Sequence, residues 1–440
     1  MTSCLASVAS QLLEPITLAT SPRRVGKLVS HQGHMLEASG CPFPVGSAVR
    51  IDVPSGEAVA GEIIGFRGCL SLIQPLSNGS VATGARVLFD GRRDMVGCGA
   101  SLLGRVIDGQ GSPLDGLPTP VSSDQWPLAG AFANPLRRGR IVRPVDSGVR
   151  AINGLLTIGE GQRVAIIAGS GVGKSVLMGQ ILAGFDAEII VVGLVGERAR
   201  EVSDFVETKI GAVKDKSVVV AVPADHSPLL RLRAAMRACA IAEYFRAQGR
   251  SVLLMLDSLT RVAHAQREIG LAMGEPPTMK GYTPSSLSLI PQIVERAGVD
   301  TRSGGSITAI YTVLADGGDL DDPIVDAARA IVDGHIVLSR ALAEAGVFPA
   351  IDLSRSLSRI MPDVVDAEHL AAAAQFRRLW SSYEQNRDLV MMGAYVAGND
   401  AVLDSAIVAH PYMLEYIGQR VADNIDFAAS RDTLVGGFGS

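Results

Sequence analysis

Ala168-Gly169-Ser170-Gly171-Val172-Gly173-Lys174-Ser175 is the stretch from which the fold can be read. An apolar run at 164–167 precedes it, and Val176, Leu177, Ile181 and Leu182 follow as the apolar positions of a helix. Glycines before a helix are by themselves an ordinary turn; strand, glycine loop, Lys-Ser and helix in that order make a phosphate-binding loop. Glycines let successive backbone N–H groups point inward around a phosphate, and the helix N-terminus adds a favourable dipole. Lys174 is then expected to reach the β- and γ-phosphates, and the Ser175 hydroxyl to take one Mg²⁺ position. The strict pattern opens with Gly where this chain has Ala168, a mild departure for a residue that can close a strand at negative φ. Residues 168–176 are the candidate nucleotide-binding segment.

Outward from the loop, further apolar runs stand at 189–195, 217–222, 252–256, 307–313 and 335–338. Helical stretches lie between several of them, such as 227–248, where Leu232, Met236 and Cys239 share a face and Gly249 supplies a stop. Buried strands alternating with helices predict a parallel α/β sheet. Residues 22–95 differ: Val49, Ile51 and Val53 alternate with Arg50 and Asp52, and short apolar runs are broken by Gly65, Gly68, Asn78-Gly79 and Asp90-Gly91. Closely spaced strands of this kind predict a small barrel or sandwich. The turn-rich stretch 104–116 is expected to follow the end of that domain, and the Pro-containing stretch to Pro144 to be a connector over the next one. After Pro362, residues 367–382 and 400–425 read as helices. The expected organisation is an arm at 1–21, a β-barrel domain at 22–95, an α/β domain at 96–360 and a helical domain at 361–440.

Composition excludes several classes. The 440 residues are 47% hydrophobic and 19% charged, ample for a large core and unlike a disordered chain. The net charge of −5 gives no global field for nucleic acid. No run reaches the roughly 18–20 apolar residues of a membrane span, and the N-terminus lacks the basic flank of a secretory signal. Five widely spaced cysteines without a Cys-x-x-Cys pair suit neither a disulfide framework nor a zinc ribbon. His31-x-x-His34 has no further ligands nearby, and Cys239 falls on an apolar helix face. A soluble, cytosolic protein is expected.

Two carboxylates complete the candidate chemistry. Five apolar residues, 252–256, end in Asp257, which either caps the following helix or, beside a phosphate loop, holds Mg²⁺ through water. Gly196-Glu197-Arg198-Ala199-Arg200-Glu201 follows the run 189–195, so Glu197 lies at a strand C-terminus, the edge where α/β ligands bind. A carboxylate there can polarise a water in line with a γ-phosphate; alone, the segment is a charged cluster opening a helix.

These residues resemble the hexameric ATPases of the rotary ATP synthase superfamily, most closely its flagellar and type III secretion branch. The similarity runs from about 22 to 435. It is most specific at 148–175, at 196–201, at Asp257-Ser258-Leu259-Thr260-Arg261 on to Glu268, at 274–284 and at 348–359. The resemblance implies a RecA-like ATPase core with an N-terminal β-barrel and a C-terminal helical domain. It implies that Glu197, with Arg198 beside it, activates water, that Arg261 is a basic residue near the phosphates and that Phe348 stacks on adenine. From composition alone Phe348 would be read as core packing. Arg359 matches an arginine finger given to the neighbouring subunit's nucleotide. Implied partners are identical copies in a homohexamer, a stator-like regulator at the N-terminal arm, a central stalk facing 274–284 and 316–323, the export gate and substrate–chaperone complexes. The implied place is the cytoplasmic base of an export apparatus, peripheral to the inner membrane. On the arm, Leu5, Val8 and Leu12 form an amphipathic pattern that Pro15 would end.

Two rival readings share the core. A catalytic subunit of a rotary ATP synthase is disfavoured by the 274–284 loop and by a tail, Met392-Gly393-Ala394-Tyr395 on to Asp404-Ser405-Ala406-Ile407, that lacks an acidic helix-turn motif. An RNA-translocating helicase needs basic and aromatic residues in its N-terminal fold, where 22–95 offers only Phe43, Phe66 and Phe89 and no basic stripe. No nucleic-acid partner is expected.

Overall fold

The computed structural model describes residues 25–439, apart from 34, 54–57, 78, 93, 132–133 and 316–317. The expected arm at 1–21 lies outside the described residues, as do Cys4, His34 and the first two residues of the 316–323 loop.

A first compact unit ends at Asp94. Six antiparallel strands close it into a barrel in the order β1-β2-β5-β4-β3-β6: β1 (Val25–Gln32), β2 (Met35–Ser39), β3 (Ser47–Ile51), β4 (Val59–Arg67), β5 (Leu70–Pro75) and β6 (Arg86–Arg92). Alternation drives it: Leu28, Leu36, Val49, Ile51, Ile63, Ile73 and Val87 all point inward. Closure pairs every strand on both sides and leaves no sheet edge. Phe43 is buried and its ring stacks on that of Phe89 with centroids 4.8 Å apart, so this aromatic belongs to the core rather than to a stacking surface.

The second unit begins at Met95. A short antiparallel pair, β7 (Met95–Cys98) with β9 (Asp124–Pro127), flanks the main sheet. That sheet runs β17-β16-β10-β15-β13-β11-β12-β8, with β14 paired to β15. The strands are β8 (Val106–Ile107), β10 (Arg163–Ala168), β11 (Ile189–Val195), β12 (Ser217–Val222), β13 (Ser251–Asp257), β14 (Gly298–Val299), β15 (Ser306–Leu314), β16 (Gly334–Leu338) and β17 (Ile351–Ser358). All neighbours along the main order are parallel except β16 and β17. The apolar runs read from sequence are its inner strands, buried on both faces. The 104–116 stretch follows the end of the first unit and also contributes β8 to the sheet margin.

Three helices close the chain, Ala367–Met391, Ala401–Ile417 and Phe427–Phe438. The predicted helix at 400–425 therefore stops early, at Gly418. The turn after it grips the segment that leads into the main sheet: Gln419 Nε2 donates to the Gly148 carbonyl at 2.8 Å, and Gln419 Oε1 accepts from Arg150 N at 2.8 Å. The Arg150 guanidinium donates to the carbonyls of Glu415, Tyr416 and Gly418, neutralising the negative end of the helix Ala401–Ile417. Gly148 and Gly184, the last residue of the helix after the phosphate loop, touch backbone to backbone. A Cβ on Gly184 would lie 2.5 Å from Gly148 Cα. Gly184→Ala should therefore cost about 1–3 kcal/mol, as overpacking does elsewhere. A lowered thermal unfolding midpoint checks this; an unchanged one would mean that the contact yields freely.

Candidate active site

The loop after β10 is built from backbone. Gly171 and Gly173 adopt φ of 78° and 92°, a left-handed conformation that costs glycine little. Gly173 then opens the helix Lys174–Gly184, with no side-chain cap. Its first N–H groups are left to an outside acceptor. Val172 is buried and pins the loop, Ser170 and Ser175 are exposed, and the Ala168 carbonyl is held by Ala315 N at 3.0 Å.

Parallel register brings the other groups to this edge. β15 lies between β10 and β13, and Asp257, the last residue of β13, is opposite Leu194 of β11. Beyond Val195 the chain turns at Gly196, φ 72°, and delivers Glu197. The Lys174 ammonium lies 2.5 Å from Asp257 Oδ1 and 3.7 Å from Glu197 Oε1. Thr312 of β15 donates to the same Asp257 Oδ1 at 2.5 Å. Arg261 starts the next helix, Leu259–Met273, where Ser258 Oγ accepts its N–H at 3.3 Å. A side chain on Gly196 would meet Arg261 Cβ at 3.0 Å, so the glycine lets Arg261 lie along the Glu197 turn.

Glu197 is 12% exposed at its side chain, and its Oε1 accepts no hydrogen bond among the described residues. Burial, and then the charge of Asp257, push its carboxyl above the usual range, with Lys174 and Arg261 opposing. A carboxylate with raised proton affinity beside an open space is what a general base requires. Ser175, Glu197 and Asp257 line a cavity of about 440 Å³. Among the described residues no group of three or more His, Cys, Asp or Glu would hold a metal alone. Both hydrogen bonds to Asp257 fall on Oδ1, and with Ser175 it offers the partial oxygen set that Mg²⁺ uses when phosphate and water supply the rest.

The remaining candidates are placed unequally. The Phe348 ring lies against the loop, 3.4 Å from where a Gly173 Cβ would be, and is 40% exposed rather than core. Its carbonyl accepts from Gln419 N at 2.7 Å. Val176 is half-buried in the first helical turn. Arg198 stands at the exposed rim of the same cavity: its side chain is 84% exposed and pairs with Glu201 at 3.3 Å. Arg359 follows β17 at the opposite edge of the sheet, by the start of β10. Lys280 ties the 274–284 loop to the 316–323 loop through Asp319 at 2.6 Å and Asp322 at 3.4 Å. Sequence reading missed Thr312, because the run 307–313 also carries Thr308 and Tyr311 and nothing in the pattern singles out one hydroxyl.

Residues 148–358 match the ATP synthase alpha/beta family, nucleotide-binding domain, and residues 365–435 match the T3SS EscN ATPase C-terminal domain. The flagellum-specific ATP synthase of Pseudomonas aeruginosa is 50% identical over 426 residues, 96% of this chain and 94% of that protein. The chain belongs to the flagellar and type III secretion ATPases of the ATP synthase α/β family. Its fold is similar to the assembled ATPase EscN of the enteropathogenic E. coli type III secretion system, with TM-score 0.89 and 41% identity over 94% of this chain and 100% of that one. EscN in complex with its central stalk EscO matches at TM-score 0.86 and 40% identity, over 94% of this chain and 100% of that one. The family's nucleotide-binding match takes in β10 to β17 and hence Lys174, Glu197 and Asp257.

Lys174 is the counter-charge for two buried carboxylates. Lys174→Ala should lower unfolding free energy by about 3–5 kcal/mol, the range for breaking a buried pair. Adding Glu197→Gln should return part of the loss, because one stranded carboxylate is gone. Denaturant unfolding of the four corners of this cycle measures the coupling; equal loss in the single and double variants would exclude it.

Proposed function

We propose that this chain hydrolyses ATP to energise protein export through a flagellar or type III secretion apparatus. The observation that carries the reading is the convergence of Lys174, Glu197 and Asp257 on the glycine loop at one sheet edge. Names borne by relatives across nearly the whole chain support the export role. In this reading the loop N–H groups and Lys174 bind and orient the phosphates, and Phe348 holds the adenine. Glu197 takes the proton of the attacking water, and Arg261 steadies charge near the γ-phosphate. Arg198, at the open rim of the same cavity, adds positive charge at the mouth of the site. Ser175 and Asp257 would hold Mg²⁺, which neutralises phosphate charge when bound.

Arg359 carries the argument for assembly. β10 alone, six residues at about 3.3 Å each, separates it from its own loop by more than a side chain can span. Its side chain is exposed and has no hydrogen-bond or ion-pair partner among the described residues. A guanidinium so placed suits a neighbour's γ-phosphate, and a homohexamer of identical chains has such a site at every interface. EscN is known with its central stalk EscO, and we infer a corresponding stalk protein against the loops tied by Lys280. The arm at 1–21 is assigned to a stator-like regulator, with the export gate and substrate–chaperone complexes as further partners. The working place is the cytoplasmic side of the inner membrane, peripherally; no described helix is long and apolar enough to cross one.

Glu197→Gln should keep ATP binding and lose turnover by about 10²–10⁴-fold, the usual worth of a general base. Arg359→Ala should behave likewise, losing on the order of 10³-fold, the low end for an arginine finger. Mixed in equal amounts, the two should regain activity at about a quarter of the interfaces, those pairing an intact Glu197 with an intact Arg359. No recovery in rings shown to contain both variants, or full activity in a dilute monomer, would overturn the shared site.

A further inference from the structure

Arg359 has an exposed side chain but a firmly held backbone. β17 runs antiparallel to β16 with Ser358 opposite Gly334, and Gly334 is opposite Val164 of β10. The finger therefore emerges beside Gln162 and Arg163, at the far end of β10 from the phosphate loop. Arg359 N donates to the Asp333 carbonyl at 2.9 Å. Asp333 is itself gripped on both sides. Its Oδ2 accepts from Arg163 N at 3.0 Å and Arg163 Nε at 2.9 Å, its Oδ1 accepts from Arg163 Nη2 at 3.1 Å, and its N donates to the Arg163 carbonyl at 2.9 Å.

Gln162 completes the grip. It is fully buried, and its Nε2 reaches Ser358 Oγ at 3.2 Å and the Asp333 carbonyl at 3.4 Å. Its Oε1 accepts from Gly159 N at 2.8 Å, and Ser358 Oγ donates to the Thr157 carbonyl at 2.7 Å. Two consecutive residues thus hold the residue before Arg359 and the residue that binds its N–H. None of their side chains touches Lys174, Glu197 or Asp257. Edge strands fray at their ends, and a catalytic group misplaced by about 1 Å can cost on the order of 10²-fold in rate. A buried amide and a three-point carboxylate clamp at the end of an edge strand answer that problem.

We propose that Asp333, clamped by Gln162 and Arg163, is a positioning residue for Arg359. It fixes the backbone from which the guanidinium reaches the neighbouring subunit's nucleotide. The inference rests on the reading of Arg359 as a group acting across the interface.

The test uses the full-length chain with Asp333→Ala and Gln162→Met, each alone and in mixed rings. Each variant alone should bind an ATP analogue within about twofold of the parent and lose at least about tenfold in kcat with KM little changed. Asp333→Asn, which keeps an acceptor oxygen toward Arg163, should lose less than Asp333→Ala. Mixed with Glu197→Gln, both Asp333→Ala and Gln162→Met should regain activity, because that partner brings a well-placed Arg359. Mixed with Arg359→Ala they should regain none, since neither chain then offers a positioned guanidinium. Full activity of Asp333→Ala and Gln162→Met alone, recovery with Arg359→Ala, or failure to recover with Glu197→Gln overturns the proposal. Should Asp333→Ala fail to fold, Gln162→Met carries the same mixtures. The control mixture of Arg359→Ala with Glu197→Gln separates the two ideas. If it fails, the shared site falls; if it recovers and the Asp333 mixture does not, only the positioning role falls.

Discussion

Parallel pairing of β10, β15, β13 and β11 is the constraint on which the rest depends. In a parallel ladder each strand ends on the same side, so whatever follows the last apolar residue is delivered to one edge. Ala168, Leu314, Asp257 and Val195 are such ends, and Lys174, Asp257 and Glu197 meet because of it. The site needs no long-range design beyond that register, only a glycine loop at one end and carboxylates at two others. Thr312, on the strand between β10 and β13, adds a side-chain hydrogen bond to Asp257.

The inner strands were legible because burial on both faces leaves an uninterrupted apolar run. β17 was not, because an edge strand with Asp352, Ser354 and Arg355 among its apolar residues shows no run and only broken alternation. β8 is two residues long and hides inside a turn-rich stretch. The helix ending at Ile417 was overextended in sequence because Val421 and Ile425 continue an apolar rhythm; the structure shows Gln419 held by Gly148 and Arg150 instead. In the site, the loop and both carboxylates were legible from strand-end positions. Phe348 and Arg359 were not, since one needs the loop's neighbour across the fold and the other needs the antiparallel turn of β17. Arg198 lines the same cavity as Glu197 but at its exposed rim, paired with Glu201 rather than with the buried cluster.

The C-terminal helices share one apolar core with the sheet and the helix after the glycine loop, and polar contacts add specific ties to the site. Gln180, on the helix after the phosphate loop, donates to the Arg420 carbonyl at 3.1 Å, and Gln419 N holds the Phe348 carbonyl. The same short turn therefore touches the phosphate helix, the candidate adenine residue and the start of the nucleotide domain. Arg377 reaches from the helix Ala367–Met391 to the carbonyls of Leu353 and Ser356, bracing β17 from its other side.

The depth of the Lys174 cluster sets how this protein answers to salt. Its three side chains are 12%, 12% and 6% exposed, so mobile ions have little access between them. Screening with a length of about 8 Å at physiological ionic strength acts on exposed charges and spares buried ones. Lys280 and Asp319, each 44% exposed, and the open guanidinium of Arg359 lie on the screened side of that division. Added salt will therefore weaken the tie that Lys280 makes between its two loops and screen the charge of Arg359 while leaving the internal charge balance of the Lys174 cluster intact, so ionic strength acts on the outer contacts rather than on the buried set.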